Sequence, residues 1–248
     1  EVTFSPIGYN PQAYTAIFGN TDLWRAAFNS FYVAIIGCVL GLIGTCVAAY
    51  PMAYGNFYGK KLYVIIIMFT MWFNAGIVPL FLTIRQLGLY DSLWALILNS
   101  MITAYNVVII RSYFSSIPFS VIESARIDGA TDYRILFQLV IPLSKPVLAT
   151  VALWLIVGHW NDYLNPLVLI HSQEHKTLQL FLKELVLNAE TSTSNLASVN
   201  DATNKGVAAL SQQLKNGVLV VSMVPMLVLY PFLQKFFVSG VMLGSVKG

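Results

Sequence analysis

No Asp, Glu, Lys or Arg occurs between Arg25 and Lys60. Further uncharged stretches lie between Lys61 and Arg85, Asp91 and Arg111, Lys145 and Asp162, and Lys215 and Lys235. A helix crosses the hydrocarbon core of a bilayer with roughly 20 mostly apolar residues. Uncharged stretches of this length limit what the chain can fold into more than any other feature. Inside lipid each must satisfy its own backbone hydrogen bonds, so α-helix is the expected form. The expected spans are Ala26 to Tyr50, Leu62 to Ile84, Ser92 to Ile110, Pro146 to Ile170, and the stretch between Lys215 and Lys235. His159, Asn161 and Asp162 interrupt the fourth. No stretch shows the short alternating pattern of an outer-membrane barrel strand.

Composition agrees with a multi-pass membrane protein. Charged residues make up 10% of the 248, against about 25% in a soluble domain, and the mean hydropathy is +0.69. The net charge of +3 comes with no basic face or stripe, which excludes nucleic acid as a partner. Cys38 and Cys46 sit in one apolar run, separated by roughly 12 Å of helical rise, too far for a disulfide. They read as small buried apolar residues. No metal-ligand spacing and no nucleophile–base pair is present, so no catalytic or metal residue is assigned.

Lys and Arg near span ends set orientation. Lys60 and Lys61 follow the first span. Arg111, Arg126, Arg134 and Lys145 lie between the third and fourth, and Lys235 and Lys247 follow the fifth. Alternating helices put all three segments on one side, the cytoplasmic one. The long segment 171–215, with its polar "AETSTSNLASVNDATNKG", then falls outside and reads as an exposed loop. Residues 1–20 are polar and lack a signal-peptide core. Five spans that start outside and end inside imply a sixth native helix before Glu1.

One island of charge breaks the pattern. In "ESARIDGATDYRILFQLVIPL", residues 123–143, Glu123, Arg126, Asp128, Asp132 and Arg134 fall close together. Ser120 and Glu123 have capping-box spacing after Pro118, predicting a helix over 120–128. Gly129 suits a left-handed stop. Thr131 is a second N-cap and Asp132 sits at the new helix's positive end, predicting a helix over 132–140 that Pro142 and Pro146 close. The result is a two-helix element, about 115–145, on the membrane surface.

Polar residues inside spans are costly and mark function. Trp160, Asn161, Asp162 and Tyr163 form the densest group, beside His159 and Asn165. Aromatic faces next to hydrogen-bonding groups suit a sugar. Asn74, Asn99, Tyr105 and Asn106 are possible co-liners of a pathway. An Asn between helices also serves simple cross-helix bonding, and Gly37, Gly41 and Gly44 read as ordinary close packing.

The charged element resembles the EAA motif of ABC importer permeases. Glu123, Ser124, Ala125 and Gly129 match, with Ser in place of the first Ala. The closing Ile-x-Leu-Pro is matched by Leu139, Val140, Ile141 and Pro142. "IPLSKPVLA" and "HWNDYLNPLVLI" resemble the maltose-permease-like carbohydrate-uptake branch, and "YPFLQKFFVSGVMLGSVKG" a subgroup handling complex oligosaccharides. The resemblance covers the whole chain. It implies an all-α, single-domain type I permease fold over 1–248, with five transmembrane helices of a native six and cytoplasmic coupling helices, in the bacterial inner membrane. It implies ATPase-coupling roles for Glu123, Ser124, Ala125, Arg126, Asp128, Gly129 and Ala130. The implied partners are a second permease subunit, two ATPase subunits that bind ATP and Mg, and an extracytoplasmic solute-binding protein that meets the 171–215 segment. The implied substrate is an oligosaccharide, with an acidic, uronate-containing one of alginate type as the narrower expectation. "GNFYGKK" superficially resembles a P-loop but is one residue short and has no Ser or Thr after its Lys, so no ATP site is expected in this chain. An ABC permease for a non-sugar solute is the alternative. A secondary transporter using Asp162 and His159 is less favoured, because no internal repeat is apparent.

Overall fold

The longest helix among the described residues is α1 (Thr21–Tyr54), 34 residues. Asn20 starts it, its Oδ1 accepting from the Asp22 N–H at 2.9 Å and the Leu23 N–H at 3.3 Å, and Asp22 complements the positive helix end. Phe31, Ile35, Val39, Ile43 and Val47 recur every four residues on its exposed face, as expected of a lipid-facing stripe. Gly37, Cys38, Gly41, Thr45, Cys46 and Ala49 form its buried face. The two cysteines are free and buried. The computed structural model describes residues 19–196 together with Gly217, Val220, Met223 and Leu227. These four are helical, and the rest of the expected fifth span lies outside the described residues.

The described residues form an all-α fold in which α1 is the one helix that alone is long and apolar enough to cross a membrane. The expected continuous spans after it are bent. The 62–84 span is two helices, α2 (Lys60–Trp72) and α3 (Ile77–Gln86), at 117°. Asn74 causes the stop: its Oδ1 takes the Gly76 N–H at 2.8 Å, and Gly76 adopts φ +87, which an L side chain resists. The 92–110 span is α4 (Leu93–Asn99) and α5 (Ala104–Phe114), bent by 49°, with Thr103 capping the Asn106 N–H at 3.3 Å. The fourth span is α8 (Lys145–Asn161) followed by a short α9 (Leu164–Leu169). If each bent pair is one span, up to four spans are present among the described residues.

The two-helix element forms, with corrected details. Helix α6 covers Phe119–Ile127 and starts at Pro118, so Ser120 makes no capping box. Its carbonyl instead accepts the Ser124 hydroxyl at 2.8 Å. The Thr131 cap holds, accepting the Arg134 N–H at 3.4 Å. Helix α7 (Asp132–Leu143) runs past Pro142, through a π turn at Leu136–Val140, and meets α8 at 85°. Pro142 lies in the first turn after the π segment, where its missing N–H is tolerated.

The 171–215 segment is not a loop throughout. A short 3-10 turn, Gln173–His175, leads into α10 (Leu178–Leu196). Leu178, Leu180 and Leu182 are buried. The "HSQEHK" stretch is pinned to α1: Asn29 Nδ2 donates to the Glu174 carbonyl at 2.7 Å and the Lys176 carbonyl at 2.9 Å, and Ser30 Oγ accepts the Leu178 N–H at 2.8 Å. Two main apolar clusters result. One joins Tyr50, Met52 and Tyr54 of α1 to Phe114, Ile122, Ile135 and Val140. The other, toward the opposite end, joins Val33 to Ile84, Ile97, Leu169 and Leu180.

Asp91 closes that opposite end. Its Oδ1 accepts the His171 N–H at 2.8 Å, the Ser172 N–H at 2.9 Å and the Ser172 hydroxyl at 3.1 Å. His175 Nδ1 lies 3.8 Å away. Burial works against the charged carboxylate, but these bonds and His175 outweigh it and hold the pKa below its ordinary value. The bonds therefore contribute fully above the ordinary carboxylate value of about 3.9 and are lost as pH falls through the lowered folded value. Exchange of the His171 and Ser172 amides, corrected for intrinsic rates, is expected to be slow at neutral pH and to rise only below about pH 4. Asp91→Asn should speed it at neutral pH. Fast exchange in the unaltered chain at pH 7 contradicts the clamp.

Candidate functional site

Between α4–α5 and α8 lies a cavity of about 540 Å³ lined by Ser100, Thr103, Tyr105, Asn106, Trp154, Leu155, Gly158, His159, Asn161, Asp162 and Asn165. Trp154, Gly158 and Asn161 recur at helical spacing on one face of α8, and Gly158 leaves open space there. Tyr105 and Trp154 form a tilted ring pair on its wall, centroids 5.6 Å apart. Both rings are partly exposed. The wall thus offers an aromatic pair beside three Asn side chains and a carboxylate.

Asp162 ends α8 and builds α9. Its Oδ1 accepts the Leu164 and Asn165 N–H groups at 3.1 Å each, and its Oδ2 accepts the Asn165 amide at 2.7 Å. A carboxylate at a helix N-terminus satisfies donors that lipid cannot. The break therefore exists because of Asp162, and Asp162 lines the cavity because of the break.

Of the residues expected to line a pathway, Tyr105, Asn106, Asn161 and Asp162 come together here. Trp160 does not. It is 2% exposed, turned from the cavity into a cluster with Leu23, Leu178 and Leu182, its ring 4.9 Å from Phe31 edge-on. It lies one step round the helix from the lining face. Tyr163 sits in the break, with Lys183 Nζ 4.3 Å from its ring centre. Asn99 is half-buried beside Ser100. Asn74 lies in the α2–α3 break and caps Gly76. Sequence reasoning missed Trp154, Ser100 and Thr103. The i, i+4, i+7 spacing of Trp154, Gly158 and Asn161 was the signal available for the first.

At the other end, α6 and α7 form a hairpin around Gly129. Gly129 has φ +78. Its N–H bonds the Arg126 carbonyl and the Ala130 N–H bonds the Ala125 carbonyl, both at 3.0 Å, a Schellman stop. Ala125 and Ala130 pack inward against the core. Glu123, Ser124, Arg126 and Asp128 face out. So do Ile127, 82% exposed, and Tyr133, 76% exposed. Apolar anchors ringed by charge suit a protein partner in water better than lipid. The hairpin is tied back to α1: one oxygen of Asp132 accepts the Tyr50 hydroxyl at 3.0 Å and the Arg126 guanidinium at 3.1 Å. The bond to Asp132 raises the Arg126 pKa above its already high ordinary value. A cavity of about 440 Å³ opens beside this knot, lined by Pro51, Phe57 and Tyr133 among others.

Comparison with known proteins places this geometry. Residues 35–199 match the family described as the inner membrane component of binding-protein-dependent transport systems. The chain is 34% identical to the Bacillus subtilis polygalacturonan/rhamnogalacturonan transport system permease protein YtcP, over 98% of this chain and 84% of that protein. It is 35% identical to the B. subtilis protein LplC, over 98% and 81%. A crystal structure of a bacterial ABC transporter involved in importing the acidic polysaccharide alginate aligns with TM-score 0.82 and 32% identity, covering 94% of this chain and 81% of that one. The chain is thus a member of the binding-protein-dependent inner-membrane component family, a permease subunit of an ABC-type uptake system and not an enzyme.

Proposed function

We propose that this chain forms half of the translocation pathway of an ATP-driven oligosaccharide importer and crosses the bacterial cytoplasmic membrane several times. The observation that carries the reading is the cavity. Its Tyr105–Trp154 ring pair offers faces for sugar C–H groups, and Asn106, Asn161 and Asn165 offer donors and acceptors for hydroxyls. The similar proteins are named for transport of sugars: polygalacturonan or rhamnogalacturonan, arabinooligosaccharides and galactooligosaccharides. Alginate and polygalacturonan favour an acidic substrate. The cavity's named lining holds Asp162 and no Lys or Arg, so substrate carboxylates would meet cations elsewhere, with Lys183 beside Tyr163 the nearest candidate at the break.

The hairpin is the docking piece. Its partner is a separate ATPase subunit, which holds the ATP and magnesium; a second permease, a second ATPase and an extracytoplasmic solute-binding protein complete the assembly. Glu123, Ser124, Arg126, Asp128 and Gly129 form or shape the docking surface, while Ala125 and Ala130 seat it on the core. Asp132 and Tyr50 carry movement of the hairpin into α1. Nucleotide-driven closure of the ATPase pair biases two arrangements of the spans.

Two experiments test this reading. Gly129→Asp adds a side chain where a left-handed backbone costs about 1–2 kcal/mol and a second negative charge next to Asp128. Reconstituted with its partners, this variant is expected to lose uptake and its coupling to ATP hydrolysis, with binding-protein affinity unchanged. Normal uptake would remove the docking role. Trp154→Ala should keep the protein folded and lower sugar uptake roughly two- to tenfold, from the loss of about 0.5–1.5 kcal/mol of ring contact. Trp160→Ala should instead lower stability by about 3–5 kcal/mol, as for a buried aromatic. Oligosaccharide uptake that ignores Trp154 and Asn161 substitutions, or that runs without ATP, points to another solute or a secondary transporter.

A further inference from the structure

His159 is buried on α8, yet it also lines the cavity. Its Nδ1 lies 3.4 Å from Ser100 Oγ, in the break between α4 and α5. The Ser100 hydroxyl already donates to the Leu96 carbonyl at 3.1 Å. A ring proton on Nδ1 lets both bonds form, with Ser100 accepting from Nδ1–H while donating to the Leu96 carbonyl. Nε2 is buried and makes no hydrogen bond.

What Nε2 faces is Gly37 of α1. A methyl group built on Gly37 would overlap Nε2 and lie 2.9 Å from both Cδ2 and Cε1. The neighbouring glycines play the same part for the same break. A methyl at Gly41 would lie 2.9 Å from the Met101 carbonyl, and one at Gly44 2.9 Å from Ile102 Cδ1. The ring therefore sits in a seat that only a glycine leaves open, one nitrogen on the break and the other on α1.

We infer that His159 is a positioning residue: wedged between Gly37 and Ser100, it sets the spacing of α1, α8 and the α4–α5 break and so fixes the floor of the cavity. The inference rests on the cavity being the solute pathway. A methyl at Gly37 closes the seat, and the ring's free direction is into the cavity. An Asn at 159 reproduces the Nδ1 donor and omits the far edge of the ring. A Gln places its amide where Nε2 lies and keeps the clash.

The test uses the complete transporter in proteoliposomes, with Cys38 and Cys46 changed to Ser. Two readouts are taken: uptake of a labelled oligogalacturonate, and the rate at which Gly158→Cys, in the open cavity wall, reacts with a water-soluble methanethiosulfonate. Gly37→Ala is expected to slow labelling at least fivefold and uptake at least tenfold. Adding His159→Asn should return labelling to within twofold and uptake to within threefold, whereas His159→Gln should rescue neither. Should Gly37→Ala fail to assemble, the same contrast is read in yield: the Asn double variant assembles and the Gln one does not. Unchanged labelling in Gly37→Ala, or equal rescue by Asn and Gln, overturns the inference. Labelling that follows the expected pattern while uptake of the probe stays constant upholds the seat and overturns the pathway reading.

Discussion

Hydrocarbon offers no hydrogen bonds, so every interruption of a membrane helix must carry its own. At three of the helix breaks among the described residues, a short polar side chain answers the freed N–H groups. Asn74 serves Gly76, Thr103 serves Asn106, and Asp162 serves Leu164 and Asn165. Two of these stops face the same cavity. The groups that make the breaks possible also make the cavity polar.

The breaks need room, and α1 supplies it. A helix facing another with glycines can come close enough for a carbonyl or an imidazole to lie against its backbone. Gly41 and Gly44 receive the Met101 carbonyl and the Ile102 side chain. These are the contacts that bring an irregular stretch next to a straight one without a void. The opposite face of α1 carries bulky exposed side chains instead, so its two sides are divided between lipid and the protein's working parts.

Much of this was legible in the sequence, and the misses have physical causes. Charge-free runs located the helices, because burying charge in lipid is costly wherever it occurs. Gly129 and Thr131 announced the hairpin, because left-handed turns and caps depend on one residue each. The bends were hidden because Asn74, Ser100 and Thr103 are too few to lower the apolarity of their runs. Composition singles out Trp160 but does not reveal helix phase; Trp154, Gly158 and Asn161 carry the phase that faces the cavity. Segment 171–215 read as a loop from its polar latter half, while Leu178, Leu182 and Val186 already had the i, i+4 spacing of a packed helix. The Ser120 cap failed because Pro118 starts the helix one residue earlier.

Helix α1 has 34 residues, a length of about 50 Å at 1.5 Å per residue, against roughly 30 Å of hydrocarbon. One end holds Asp132 of the hairpin through Tyr50. The other holds the 174–178 backbone through Asn29 and Ser30. A lever this long needs no chain of intermediates to carry a signal between the two faces of a membrane. Each degree of tilt moves its far end by close to 1 Å for a rod of about 50 Å, enough at a few degrees to make or break a hydrogen bond on the opposite side.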